Sequence, residues 1–107
     1  MDADPAAGLQ LRRAASIVER FTGLIGRPPL GPAEGLVFER CDAVHTFAMR
    51  FAIDVVFLDR SGRVLRVAER LPPWRIAWTP GAHTVIETAA GTARRLEIVP
   101  GRVLRVQ

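Results

Sequence analysis

The sequence predicts a mainly β fold at the border of α+β. It should be a compact antiparallel sheet or small sandwich, with one N-terminal helix packed on it and a short helical turn near the C-terminus. Three observations lead there. Several short apolar or alternating runs are separated by Gly- and Pro-containing turns, the punctuation of an antiparallel fold. One stretch alone, residues 16–26, carries a clear helical period. The chain has 107 residues and is 49% apolar, enough for one core without staples.

Residues 1–8 are small, polar or Pro-containing and read as a flexible tail, which leaves 9–107 as a single domain. Leu9 to Arg13 is a first short strand. Ser16 and Glu19 form a capping box, because each side chain can bond the other residue's amide. Behind it Ile17, Phe21, Leu24 and Ile25 make one apolar helical face. Gly26 and the Pro28-Pro29 pair then stop the helix.

Strands follow. Gly35 to Phe38 is short and apolar. Val44 to Phe51 alternates, with His45, Phe47, Met49 and Phe51 on one face and Val44, Thr46, Ala48 and Arg50 on the other. Val55 to Leu58 is continuously apolar, as in a strand covered on both sides. Asp59-Arg60-Ser61-Gly62 has the composition of a type I turn, and Arg63 to Ala68 returns as its hairpin partner. Thr79-Pro80-Gly81 is another turn, Thr84 to Thr88 a strand, Thr92 to Leu96 one helical turn, and Arg102 to Val106 a last strand. Gly-Arg-Val-Leu-Arg-Val occurs at 62–67 and again at 101–106. Nothing beyond the hexapeptide repeats, so these are two similar strand starts.

Composition removes several classes of function. Cys41 is the only cysteine, so no internal disulfide forms, in keeping with a reducing compartment. No run reaches about 18 apolar residues, and the acidic start lacks a signal-peptide core, so a cytoplasmic protein without a membrane span is expected. The net charge is +4 and every one of the 15 basic residues is Arg. Residues 1–53 carry six Arg and six acids; residues 54–107 carry nine Arg and five acids. Acids are interspersed throughout, so the charge reads as a solvated surface and nucleic acid is not the expected partner.

Several separated blocks resemble a known family. They are Gly23-Leu24-Ile25-Gly26-Arg27, Glu34 to Phe38, and His45-Thr46-Phe47-Ala48-Met49 leading to Ile53-Asp54 and the strand to Asp59. Gly62, Pro73-Trp74-Arg75, and Val85-Ile86-Glu87 with Ala90-Gly91 follow in order. On these blocks the chain resembles the domain-of-unknown-function family number 192 over about residues 9–106. Ala48, Ala52 and Arg102 depart from its usual aromatic, Pro and Asp. The resemblance implies a mostly antiparallel β-fold and no particular reaction.

The residues themselves suggest recognition rather than catalysis. Cys41 with His45, and His83 with Glu87, are spaced four apart, which on a straight strand is roughly 13 Å, too far to share an ion. Neither a metal nor a cofactor is expected. Ser16 belongs to a helix cap and Ser61 to a turn, and neither has a nucleophile's context. Asp54 interrupts an apolar run and must be paired or hydrogen-bonded, with Arg50 and Arg27 as candidate partners. Glu87 poses the same question, and Arg27 and Glu87 are read as structural polar groups. Trp74 to Trp78 can stack a planar group, with Arg75 gripping an anion.

The expected function is therefore a non-catalytic module that binds a small ligand or a protein. Its candidate surface is His45, Met49, Arg50 and Asp54 with Trp74 and Arg75. One alternative is a small enzyme using His45 and Asp54 as an acid–base pair. Another is weak nucleic-acid binding by the Arg-rich second half.

Overall fold

The computed structural model describes residues 4–14 and 28–106. The expected helix over 16–26 and Arg27 lie outside the described residues. Among the described residues seven strands are formed: β1 Gln10–Arg13, β2 Glu34–Glu39, β3 Ala43–His45, β4 Ile53–Leu58, β5 Val64–Leu71, β6 Ile76–Trp78 and β7 Thr84–Ala89. One helical turn, α1, spans Thr92–Arg95. No helix among the described residues is long and apolar enough to cross a membrane.

Five strands make one sheet in the order β1-β2-β7-β4-β5. All neighbours are antiparallel except β1 and β2, which run parallel, so the sheet is mixed rather than purely antiparallel. β3 and β6 form a separate two-stranded antiparallel sheet. Every residue of β4 is buried, as expected for a strand with partners on both edges and layers on both faces.

Strand alternation sorts the core into two clusters. On one face Val37, Val56, Leu58, Val64 and Ile86 pack with Ala93, Ile98 and Leu104. On the other, Leu36, Phe38, Ile53, Val55, Phe57 and Val85 pack with Met49 and with Ala77 of β6. The molecule is thus layered: the α1 and C-terminal segments, the five-stranded sheet, and the β3–β6 sheet.

The hairpin turn forms as its sequence dictates. The Gly62 amide donates to the Asp59 carbonyl at 3.1 Å, and the Asp59 side chain accepts from the Ser61 amide, the Ser61 hydroxyl and the Arg63 amide. The Ser61 hydroxyl, then the Arg63 amide, hold the Asp59 carboxyl below its ordinary value. Ahead of β1, Pro5–Gly8 makes a 3-10 turn and Asp4 accepts from the Arg105 amide at 3.0 Å. Within the expected tail, Asp4 is thus bonded to the C-terminal segment.

Two strand expectations are corrected. The run 44–51 leaves β-structure after His45, because the chain turns around Thr46 and Ala48 takes φ +62. The last strand over 102–106 is reduced to one bridge, Arg63 to Val103. That bridge brings the two hexapeptides together. Val64 donates to the Arg102 carbonyl, Gly101 to the Val64 carbonyl and Leu104 to the Gly62 carbonyl, each at 2.8 Å.

The two hexapeptide glycines differ in what surrounds them. Both have positive φ, but a Cβ on Gly62 would sit 2.4 Å from the Leu104 carbonyl oxygen, while one on Gly101 would meet nothing. Gly101→Ala is expected to cost about 1–2 kcal/mol, the left-handed backbone penalty alone. Gly62→Ala should cost distinctly more and loosen the C-terminal segment. Urea unfolding of the two variants side by side checks the order.

Candidate functional site

The β3–β6 sheet carries an exposed ridge. β6 turns Ala77 inward, 3% exposed, and Ile76 and Trp78 outward, at 63% and 61%. Opposite them in register stand His45 and Ala43. Phe47 and Trp74 extend the same surface just beyond the paired residues. Their rings stack with centroids 5.9 Å apart and planes at 24°, and His45 lies 5.1 Å from Phe47. His45 Nδ1 accepts from the Phe47 amide at 3.3 Å, so in the neutral ring Nε2 carries the proton.

Thr46 holds this arrangement together. It is fully buried. Its hydroxyl donates to the Pro72 carbonyl at 2.6 Å and accepts from the Arg75 amide at 2.9 Å. Its own amide donates to the Arg75 carbonyl, and its carbonyl accepts from the Trp74 and Met49 amides. One residue therefore ties the loop after β3 to the loop before β6. Met49 anchors the first loop from below, buried in the second core cluster.

The tie holds two strained residues. Ala48 has φ +62 and Trp74 φ +66. A left-handed conformation at a non-glycine residue costs of order 1–3 kcal/mol, and for a bulky Trp it is a true outlier. The strain leaves Trp74 63% exposed and stacked on Phe47.

The expected site residues do not form one surface. His45, Trp74 and Arg75 come together on the ridge. Met49 lies beneath it as an anchor, and Arg50 is exposed on the same loop. Asp54 is elsewhere. Its side chain lies on the α1 side of the five-stranded sheet, whereas β3 and His45 lie on the other side, so the two share no cleft.

Asp54 is also fully engaged. Oδ1 accepts from the Arg70 amide at 2.8 Å, and Oδ2 from the Gly91 and Ala93 amides at 3.0 and 2.9 Å. The anticipated Arg50 partner is thus replaced by backbone amides, with Arg27 outside the described residues. Those amides need an acceptor: β5 bulges opposite Asp54, and Gly91 has no side chain with which to cap α1.

Glu87 sits in the middle of the other face, in register with Leu36 and Val55, and is 4% exposed. Its Oε2 has no hydrogen-bond partner among the described residues. Burial pushes the carboxyl up to about 7 from its ordinary 4.5. Among the described residues no group of three or more His, Cys, Asp or Glu is placed to hold a metal.

Thr46 and Phe47 lie outside the expected surface, and Ile76 and Trp78 enter the sequence reading only as part of the stacking segment 74–78. The Trp-x-Ile-x-Trp alternation at 74, 76 and 78 is a strand-period signal that marks the ridge. Nothing in the sequence distinguishes Thr46 from other threonines.

A model of the domain-of-unknown-function family number 192, described as "Uncharacterized ACR", matches residues 2–106. A UPF0127 protein of Thermococcus sibiricus is 38% identical over 90 residues, which is 77% of this chain and 56% of that protein. The chain thus spans little more than half of that relative. The fold is similar to a crystal structure of a protein of unknown function from Novosphingobium aromaticivorans, with TM-score 0.82, 26% identity, and coverage of 92% of this chain and 75% of that one. It is also similar to a candidate transcription regulator from Sinorhizobium meliloti, with TM-score 0.81, 25% identity, and coverage of 91% and 81%.

Two outcomes are expected from the buried carboxyls. Asp54→Ala strands three amides, that of Ala93 buried and those of Arg70 and Gly91 part-buried, and should cost about 3 kcal/mol in urea unfolding. For Glu87 the folded state prefers the protonated form. Its contribution is complete below pH 4.5 and is lost as pH rises through about 7, a fall of about 3 kcal/mol. Glu87→Gln should therefore remove that slope and be the more stable chain at pH 8, read by thermal unfolding across pH 4–8.

Proposed function

The chain belongs to the domain-of-unknown-function family number 192, and for this member we propose a non-catalytic recognition module that presents the β3–β6 ridge to a protein partner. The observation that carries the reading is the held, strained display of Trp74 over Phe47. Backbone strain persists only where surrounding structure over-determines it, and it concentrates at functional sites.

The surface chemistry supports the same reading. Phe47, Trp74, Ile76 and Trp78 are large apolar side chains left exposed on one side of a small sheet. Contiguous exposed apolar surface marks interaction sites, and Trp and Arg dominate the binding energy of protein interfaces. Small-molecule sites are concave, whereas these side chains stand out from the sheet, which favours a macromolecular partner. The separation of His45 from Asp54 counts against the acid–base alternative. The single cysteine supports a reducing compartment, and we take the cytoplasm as its place.

The reading predicts a partner lost on truncating the ridge. Quantitative affinity capture would compare the wild-type chain, the Trp74→Ala/Trp78→Ala double variant, and Val99→Ser. Val99 is an exposed apolar residue just past α1, away from the ridge, and serves as the control. A partner held by the wild type and by Val99→Ser should be weakened at least about 30-fold by the double variant, the size of one interface hot spot. Equal capture by all three chains would overturn the reading.

A further inference from the structure

We infer that the ridge takes its partner as an added β-strand: an extended acidic peptide segment, apolar at alternate positions, paired along the outer edge of β6. This rests on the recognition reading above and names the partner's chemistry. It follows from where the backbone hydrogen bonds of the small sheet go.

In the β3–β6 register the bonds just outside the paired residues are Thr46 amide to Arg75 carbonyl and Thr79 amide to Asp42 carbonyl, at 2.8 and 3.0 Å. Antiparallel ladders alternate bonded and non-bonded pairs. Thr46–Arg75 and Asp42–Thr79 being bonded, Val44–Ala77 is the bonded pair between them, and His45–Ile76 and Ala43–Trp78 are non-bonded. The peptide groups of Ile76 and Trp78 therefore point away from β3.

Of these outward groups, the Trp78 carbonyl accepts from the Arg66 guanidinium at 3.1 Å. Among the described residues β6 has a ladder with β3 alone, and the Ile76 amide and carbonyl and the Trp78 amide make no other backbone bond. The β3 edge is less open, because the Ala43 carbonyl accepts from the Cys41 thiol and the His45 ring folds onto the Phe47 amide. β6 thus offers donor, acceptor and donor in a row, beside two side chains that a neighbouring strand would cover. That is the template for strand addition, in which main-chain bonds give affinity and alternate side chains give specificity.

Charge decides the partner's composition. Arg66 and Arg75 flank β6, Arg50 is exposed on the loop that carries Phe47, and Asp42 is the acid beside β3. Pairing β6 with β6 of a second copy would set these arginines against their equals, so the basic border disfavours self-association and favours an acidic partner. A single-stranded nucleic acid would also suit Trp and Arg side chains, but it offers no peptide-spaced donors and acceptors to the open edge. A peptide strand satisfies both the edge and the apolar face.

The test is direct because Trp74 and Trp78 are the chain's only tryptophans and it has no tyrosine. A phage-displayed library of random nine-residue peptides would be selected on the wild-type chain. Enriched peptides would then be synthesised and titrated by tryptophan fluorescence. The expected result is enrichment of peptides with net negative charge and apolar residues at every second position. N-methylation of one alternate set of their backbone nitrogens should weaken binding at least about tenfold, the other set being tolerated. Ile76→Pro, which removes a β6 donor, should weaken it similarly.

Enriched peptides that depend on Trp74 and Trp78 but are indifferent to N-methylation, or are basic, would overturn strand addition and leave the ridge reading standing. Peptides indifferent to Trp74→Ala and Trp78→Ala would overturn both. If no peptide is enriched the inference is overturned, and quenching by oligothymidylate in that case would assign the ridge to single-stranded nucleic acid.

Discussion

A single carboxyl group, that of Asp54, settles how the layers meet. β4 is buried throughout, so a polar side chain there must find partners inside the protein. It finds them on two different elements. Oδ1 takes the amide of Arg70, a residue with φ +51 where β5 bulges, and Oδ2 takes the amides that open α1. The bulge and the helical turn each leave amides unbonded, and the aspartate meets both needs. The edge strand β5, its inner neighbour β4 and the covering turn are thereby fixed relative to one another, and the apolar faces on either side pack against a sheet whose register is set.

Thr46 plays the corresponding part for the small sheet. Its hydroxyl and peptide groups bind the Pro72, Trp74 and Arg75 backbone, so two loops that contribute little to the main core behave as one unit. Asp54 makes the platform rigid, and Thr46 makes what stands on the platform rigid. Preorganised side chains lose less conformational entropy when a partner arrives, which is what the proposed recognition role requires of this cluster.

Much of the fold was legible in the sequence. The β-rich class, the hairpin at Asp59–Gly62, the buried run of β4 and the helical turn after Gly91 all follow from local chemistry: period, turn residues, propensity. What could not be read depended on contacts distant in sequence. Val44 to Phe51 alternates as a strand does, yet the chain turns at Thr46 because residues 72–75 supply its partners. Asp54 was recognised as a buried polar group in need of bonds, but its donors lie 16, 37 and 39 residues away, beyond any local pattern. Of the expected surface, Trp74, Arg75 and His45 fall on the ridge and Asp54 does not. Ile76 and Trp78 lie outside the expected surface, although their alternation with Ala77 is the mark of a strand.

The clasp between the two copies of Gly-Arg-Val-Leu-Arg-Val has a consequence for how the molecule is made. Leu104 fills the first core cluster, and Gly101 to Leu104 bond to a hairpin turn formed some forty residues earlier. During synthesis β1 to β7 leave the ribosome before that segment does. The sheet can assemble, but one side of its core stays open until Gly101 to Leu104 emerge and close on the turn. Completion of this fold therefore falls after translation of the strands, and contacts so far apart in the chain place it among the slower-closing topologies.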